Sequence, residues 1–298
     1  MKLDATHLST LATILRAGSF DAAAHQLGIT QSAVSQRLKA LETQVGARLV
    51  VRGQPCTGTA AGRRLAAHAD QVALLESTLA RDIAALAPTT RTPIRLAVNA
   101  DSLATWFLAA LSELPEHLFD LVIDDQDVSA EWLRRGEVMG AVTASARAVV
   151  GCDVVPLGAL RYVATASPDF MARHFADGVT AQSIARAPVM RFDVKDQLQH
   201  RWVARYVGPG LAPPCHQIAT SEGFVQAARL GIGWGMNPLP LVTEALSEGA
   251  LVTLLPDSPL DTPLYWQSTR LLGPVTAPLT RAIRRAARAA LHPHSDAS

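Results

Sequence analysis

Ser32, Ser35, Gln36 and Lys39 recur at i, i+3, i+4 and i+7, with Gln31 just before them, so a helix over this stretch gathers all five on one face. The face offers amides, hydroxyls and one cation, and no carboxylate. Amide and hydroxyl groups can pair with base edges in a DNA major groove. A carboxylate there would be repelled by phosphate. Arg37 beside this face, and Arg52 and Arg48 further on, add cations suited to the backbone of a duplex. Val34, Leu38, Leu41 and Val45, at i, i+4, i+7 and i+11, form the opposite, apolar face and must pack on a neighbour.

The elements that present this face follow from caps and periodicity. Ser19 predicts the start of a helix over Phe20–Leu27, Gly28 its left-handed end, and Thr30 the cap of the helix bearing the polar face. An earlier helix, Ala5 to Ala17, carries Leu8, Leu11, Ile14 and Leu15 toward that pair, and Gly18 ends it. Arg48–Arg52, a turn over 53–56 and Thr57–Thr59 predict a two-stranded wing. From Ala60 to about Leu86 no proline interrupts a helix in which Leu65, Val72, Leu79 and Leu86 repeat every seven residues, widened by Leu75 and Ile83. That stripe predicts pairing with a second copy. Pro88 to Pro93 then breaks the chain as a hinge.

Beyond the hinge, strand-like runs (Ile94–Val98, Phe119–Ile123, Val138–Thr143, Leu160–Thr165, Val189–Phe192, Cys215–Ala219, Ile232–Met236, Leu264–Thr269) alternate with helical ones. The helical runs are Leu103–Leu114, Ser129–Arg135, Pro168–Phe175, Lys195 to Tyr206, Glu222–Leu230 and Ala277 to Leu291. The pattern predicts two α/β lobes with a ligand cleft beyond the strand ends. Asp101 and Ser102 stand at one strand-to-helix junction and Thr220 and Ser221 at another, where hydroxyls and helix amides can receive a carboxylate or simply cap the helix. Asp124, Asp125, Asp193 and Glu222 are acids available to a cation, or to surface ion pairs, and the sequence does not separate them.

The composition bounds the rest. With 298 residues, 49% of them hydrophobic, the chain can build more than one core. Its 27 Lys and Arg balance 26 Asp and Glu, yet residues 1–62 hold six cations against three anions, so nucleic acid would be met by that end alone. Met1–His7 lacks the apolar stretch of a signal peptide, and every apolar run is too short to span a bilayer, which places the chain in the cytoplasm. Cys56, Cys152 and Cys215 lie far apart without metal-ligand or C-x-x-C spacing. No G-x-S-x-G, H-E-x-x-H or Walker loop occurs, and Gly231-Ile232-Gly233-Trp234-Gly235 fails the dinucleotide spacing, so neither enzyme nor cofactor nor metal is expected.

The runs 17–24 and 31–42, with Thr59-Ala60-Ala61-Gly62, resemble the LysR-type transcriptional regulators. Residues 98–106, 133–138, Ser221-Glu222 with Phe224-Val225-Gln226, and Leu264-Tyr265-Trp266 resemble the ArgP/LysG branch within them. The resemblance implies an N-terminal winged helix-turn-helix domain (1–62), a linker and dimerisation helix (63–87), a hinge (88–93) and a two-lobed α/β effector domain shaped like a periplasmic binding protein (94–298). Its implied partners are promoter DNA, RNA polymerase and a second copy, as homodimer or homotetramer. Its implied effector is a basic amino acid, L-lysine or L-arginine, with histidine as a further candidate, controlling an exporter gene. Ser102, Thr220 and Ser221 would then hold the ligand carboxylate, while Asp124, the preferred acid, Asp193 or Glu222 would meet its cations, with Asp101 beside them. Another small molecule, or a redox signal through cysteine, is the alternative.

Overall fold

The computed structural model describes residues 3–82, 92–123 and 129–293. Three helices open the chain: α1 (Ala5–Ala17), α2 (Phe20–Leu27) and α3 (Gln31–Val45). Ser19 Oγ accepts from Ala22 N and Thr30 Oγ1 from Ala33 N, while Gly18 and Gly28 end their helices at φ of 70° and 64°. Leu11, Ile14, Val34, Leu41 and Leu49 are fully buried in one small core, which fixes the polar face of α3 outward. The wing forms as β1 (Val50–Val51) antiparallel to β2 (Thr57–Gly58). It is tied to α3 because Glu42 Oε1 accepts from Leu49 N at 2.7 Å.

The linker helix α4 (Ala60–Asp82) is capped by Thr59, whose Oγ1 accepts from Gly62 N at 3.1 Å. Its seven-residue stripe faces one way but meets different surroundings along the helix. Leu65 packs against the core of the N-terminal helices, Val72 is half-buried, and Leu75 and Leu79 stay exposed. Leu74, outside the stripe, is buried in the core of the C-terminal half, so α4 serves its own chain on two sides. Ile83, Leu86 and hinge residues 88–91 lie outside the described residues; Thr92 and Pro93 lead directly into the next strand.

In the C-terminal half, β3 (Ile94–Val98), β4 (Phe119–Ile123), β5 (Gly140–Thr143), β6 (Cys152–Ala166), β9 (Gly235–Pro238), β10 (Val252–Thr253) and β11 (Leu260–Thr269) share a sheet. The order is β10-β6-β11-β5-β3-β4, with β9 also on β6; β3 runs parallel to β4 and β5. β7 (Val189–Arg191) and β8 (Cys215–Gln217) form a separate parallel pair. Because β6 and β11 are long, they run through both lobes and join them. β6 begins at Cys152, well before the expected Leu160, because Pro156 and Gly158 are absorbed by a register shift opposite Leu264 and Tyr265 instead of ending the strand.

The helices are α5 (Ala100–Ser102), which continues through a π turn at Leu103–Phe107 into α6 (Leu108–Ser112), then α7 (Ser129–Arg135), α8 (Pro168–His174) and α9 (Ala181–Arg186). They continue as α10 (Leu198–Tyr206), α11 (Ser221–Arg229), α12 (Leu239–Ser247) and α13 (Gly273–Ala290). α9 and α12 were not expected. In α12, prolines near its start disguise a helix whose first turn needs no N–H donor there. Ile232 is exposed and strand β9 starts only at Gly235, a shift from the predicted Ile232–Met236. Trp202, Trp234, Trp266, Tyr162 and Phe107 fill the main core. Among the described residues no helix is long and apolar enough to cross a membrane.

Candidate functional site

Between α3 and the wing lies a groove of about 550 Å³ lined by Ser32, Ser35, Gln36, Lys39, Arg48 and Arg52, among others. Gln31, Ser32, Gln36, Lys39 and Arg52 are exposed, and Ser35 and Arg37 half-buried. The Arg52 guanidinium lies over the Phe20 ring, 5.3 Å from its centre, which holds that cation beside the start of α2. Glu42 also lines the groove, but its carboxylate is engaged by the wing backbone at Leu49 and, more weakly, Val50. The groove therefore presents donors, acceptors and cations, the set that duplex DNA requires.

A second site, a cleft of about 390 Å³, opens between the lobes where β3, β6, β9 and α11 converge. Asp101 is its centre. Tyr162, from β6, donates to Asp101 Oδ2 at 2.7 Å, and Ser221, at the start of α11, donates to Oδ1 at 2.7 Å. One carboxylate thus links the strand-to-helix turn of the first lobe to a helix of the second. Burial pushes the Asp101 carboxyl above the usual aspartate range; the two hydroxyl donors oppose this, and the charges of Asp196 and Glu222 add to it.

The expected effector residues separate on inspection. Asp101, Asp193 and Ser221 line the cleft. Ser102 does not: its side chain is fully buried, since neighbouring helical residues point about 100° apart and Asp101 takes the cleft direction. Thr220 is exposed and spends its Oγ1 on capping Gly223 N at 2.9 Å, so the capping role prevails there. Ser221 uses its proton on Asp101, so as a hydroxyl donor it serves the protein before any ligand carboxylate. Glu222 is exposed and outside the cleft lining. Asp124 and Asp125 lie outside the described residues.

Several cleft residues escaped the sequence reading. The predicted helix from Lys195 to Tyr206 takes in Asp196, but α10 starts only at Leu198, and Asp196 accepts from Leu198 N (3.0 Å) and Phe192 N (2.9 Å). Asp193 accepts from the amides of Lys195 and Asp196, so the two acids shape one turn at the cleft wall. Asn99 and Asn237 also line the cleft, and the amide oxygen of each is buried without a donor from any described residue. Asn237 gives its Nδ2 to Thr165 Oγ1 at 2.9 Å. Arg201 supplies a cation at the rim. Cys56 and Cys152 are buried and Cys215 is exposed, and no two are paired; burial pushes the Cys152 thiol up.

The raised Asp101 carboxyl carries a stability consequence. A group whose folded pKa lies above its unfolded value stabilises the fold fully below the unfolded value, and that contribution is lost as pH rises through the folded one. Asp101→Asn keeps the shape without the charge, so urea unfolding should find the ligand-free variant more stable than the parent at pH 7, with the advantage shrinking toward pH 4. A variant less stable than the parent across that range would show that the ionised carboxylate is itself a net support of the fold.

Residues 5–63 match the bacterial regulatory helix-turn-helix protein, lysR family, and residues 88–288 match the LysR substrate binding domain. The HTH-type transcriptional regulator LysG of Mycobacterium tuberculosis is 47% identical over 286 residues, covering 96% of this chain and 94% of that protein. The crystal structure of ArgP from Mycobacterium tuberculosis superposes with a TM-score of 0.82 at 46% identity, covering 98% of this chain and 100% of that one. Full-length LysG from Corynebacterium glutamicum with bound effector Arg superposes with a TM-score of 0.68 at 37% identity, covering 98% of this chain and 100% of that one. With the groove beside α3, the long helix α4 and the two-lobed cleft all in place, the chain belongs to the LysR family of DNA-binding transcriptional regulators, in its LysG/ArgP group.

Proposed function

We propose that this regulator senses a basic amino acid, L-arginine or L-lysine, in the cleft around Asp101 and in response controls a gene for amino-acid export. The observation that carries the reading is the set of three carboxylates lining the cleft, Asp101, Asp193 and Asp196, against two cations, Lys195 and Arg201. A carboxylate in a desolvated cleft is costly without a cation beside it, and a ligand bearing an ammonium and a second cationic group relieves that cost. Arg201 at the rim suits the ligand carboxylate. The arginine bound by the Corynebacterium relative is chemistry of the same kind.

On this reading the regulator works in the cytoplasm as a homodimer or homotetramer at a promoter, with RNA polymerase as its further partner. Among the described residues of the stripe, Val72, Leu75 and Leu79 are left to meet a second copy, since Leu65 is engaged with its own N-terminal core.

Isothermal titration of the full-length protein tests the ligand. Arginine or lysine should bind, and norleucine, as long as lysine but without the distal cation, should not. Asp196→Asn should weaken binding on the order of tenfold or more, since it removes the partner of a buried charge. Failure of both amino acids at millimolar concentration, or equal binding of norleucine, defeats the reading.

For DNA, a duplex selected from random sequence by the parent protein is the probe. Ser35→Ala with Gln36→Ala should erase its footprint preference, each lost base contact costing about 1–3 kcal/mol. Lys39→Ala should weaken all sequences alike. An unchanged footprint for the double variant would remove α3 from the reading role.

A further inference from the structure

The cleft and the reading groove lie in different parts of the chain, and a contact outside both connects those parts. Arg63, in the first turn of α4, donates from Nη1 to Gly58 O of the wing strand β2 at 2.7 Å and from Nε to Glu137 Oε1 at 3.2 Å. Glu137 belongs to the other half of the molecule, in the turn between α7 and β5, and its side chain is only 3% exposed. Its second oxygen is buried without a donor from any described residue, so Arg63 is the group that makes this carboxylate tolerable. The adjacent Arg64 donates from Nη1 to Arg135 O at 2.9 Å.

Glycine at position 136 gives the Arg64 guanidinium room to dock. Its φ is 63°, and a Cβ there would lie 1.2 Å from Arg64 Nη1. The turn is rigid on its own side: Gly136 N and Glu137 N donate to Leu133 O and Trp132 O, and Met139 N to Arg95 O of β3. From there β5 pairs with β3 at Leu96 and Ala97, and the chain leaves β3 at Val98 straight into Asn99 and Asp101 of the cleft. A path of backbone and hydrogen bonds therefore runs from the cleft to the wing. Leu74, buried one stretch further along α4, holds the same lobe against the helix.

We infer that Glu137 is a positioning residue for the DNA-reading head: the 135–137 turn grips Arg63 and Arg64, so the effector lobe, and not the linker helix alone, sets where the wing stands. The pair is well suited to that task because it is exposed on one side and buried on the other. Arg63 is 41% exposed, so it can leave, but leaving strands a buried charge. The contact consequently favours two discrete arrangements, gripped and released, over a graded slide. This inference requires no effector and stands apart from the identity of the ligand.

The test measures the distance between spin labels at Thr57→Cys on the wing and Val150→Cys on the effector lobe, both exposed, in the full-length protein carrying Cys215→Ser. Labelled protein is diluted into unlabelled protein so that only distances within one chain are read. The parent should give one narrow distribution. Arg63→Gln and Glu137→Gln should each broaden it and move it to longer distance, and the double variant should go no further than Arg63→Gln, since Arg63 makes the contact to Glu137 and one more, to Gly58 O. Should Glu137→Gln fold poorly, Glu137→Asp, which keeps the charge and shortens its reach to Arg63, takes its place. A narrow, unshifted distribution in Arg63→Gln, or broadening by Arg63→Gln without broadening by a folded Glu137→Gln, overturns the proposal.

Discussion

The Asp101 carboxylate, held at 2.7 Å by Tyr162 on one side and Ser221 on the other, is the interaction on which the effector half depends. It places a charge where burial disfavours charge, and nearby acids make the cost greater. A fold selected for stability alone would fill such a position with a neutral group. In the proposed function the cost has a purpose: a cation entering the cleft finds a carboxylate already desolvated and oriented, so little reorganisation remains at the moment of binding. Because that carboxylate also bridges the lobes, whatever binds it acts on their relative placement. A ligand can shift a conformational equilibrium only through such a difference in affinity between states.

The N-terminal half shows the opposite economy. Its core of Leu11, Ile14, Val34, Leu41 and Leu49 is dry and closed, its helix ends are capped by side chains, and its wing is pinned by Glu42. A head held together in this way is suited to move as one body. The linker helix is the natural lever, packed through Leu65 on the head and through Leu74 on the effector half. A rigid head on a shared helix turns small movements of a lobe into changes of position at the reading face, without altering the face itself.

The sequence was most legible where local rules suffice. Ser19, Thr30, Gly18 and Gly28 announced the helix pair because capping is a short-range, one-residue matter. The two apolar and polar faces of α3 followed from period alone. The effector site was less legible because it is made by convergence: Tyr162, Asn237 and Asp101 come from strands and helices far apart in the chain, and no spacing records their meeting. Ser102 and Thr220 misled because a hydroxyl at a helix start serves a cap as readily as a ligand, and only the direction of the first turn decides. Asp196 could have been found. Its turn onto Leu198 N two residues on is a local signal, hidden by starting the helix at Lys195.

The most direct measurement of the central claim is the carboxyl ¹³C shift of Asp101, followed by pH titration in the free protein and with L-arginine. The account predicts a midpoint above the usual aspartate range in the free protein, and a lower one once the ligand's cation lies beside the carboxylate. A midpoint that is already normal without ligand, or one that arginine binds without moving, would contradict it.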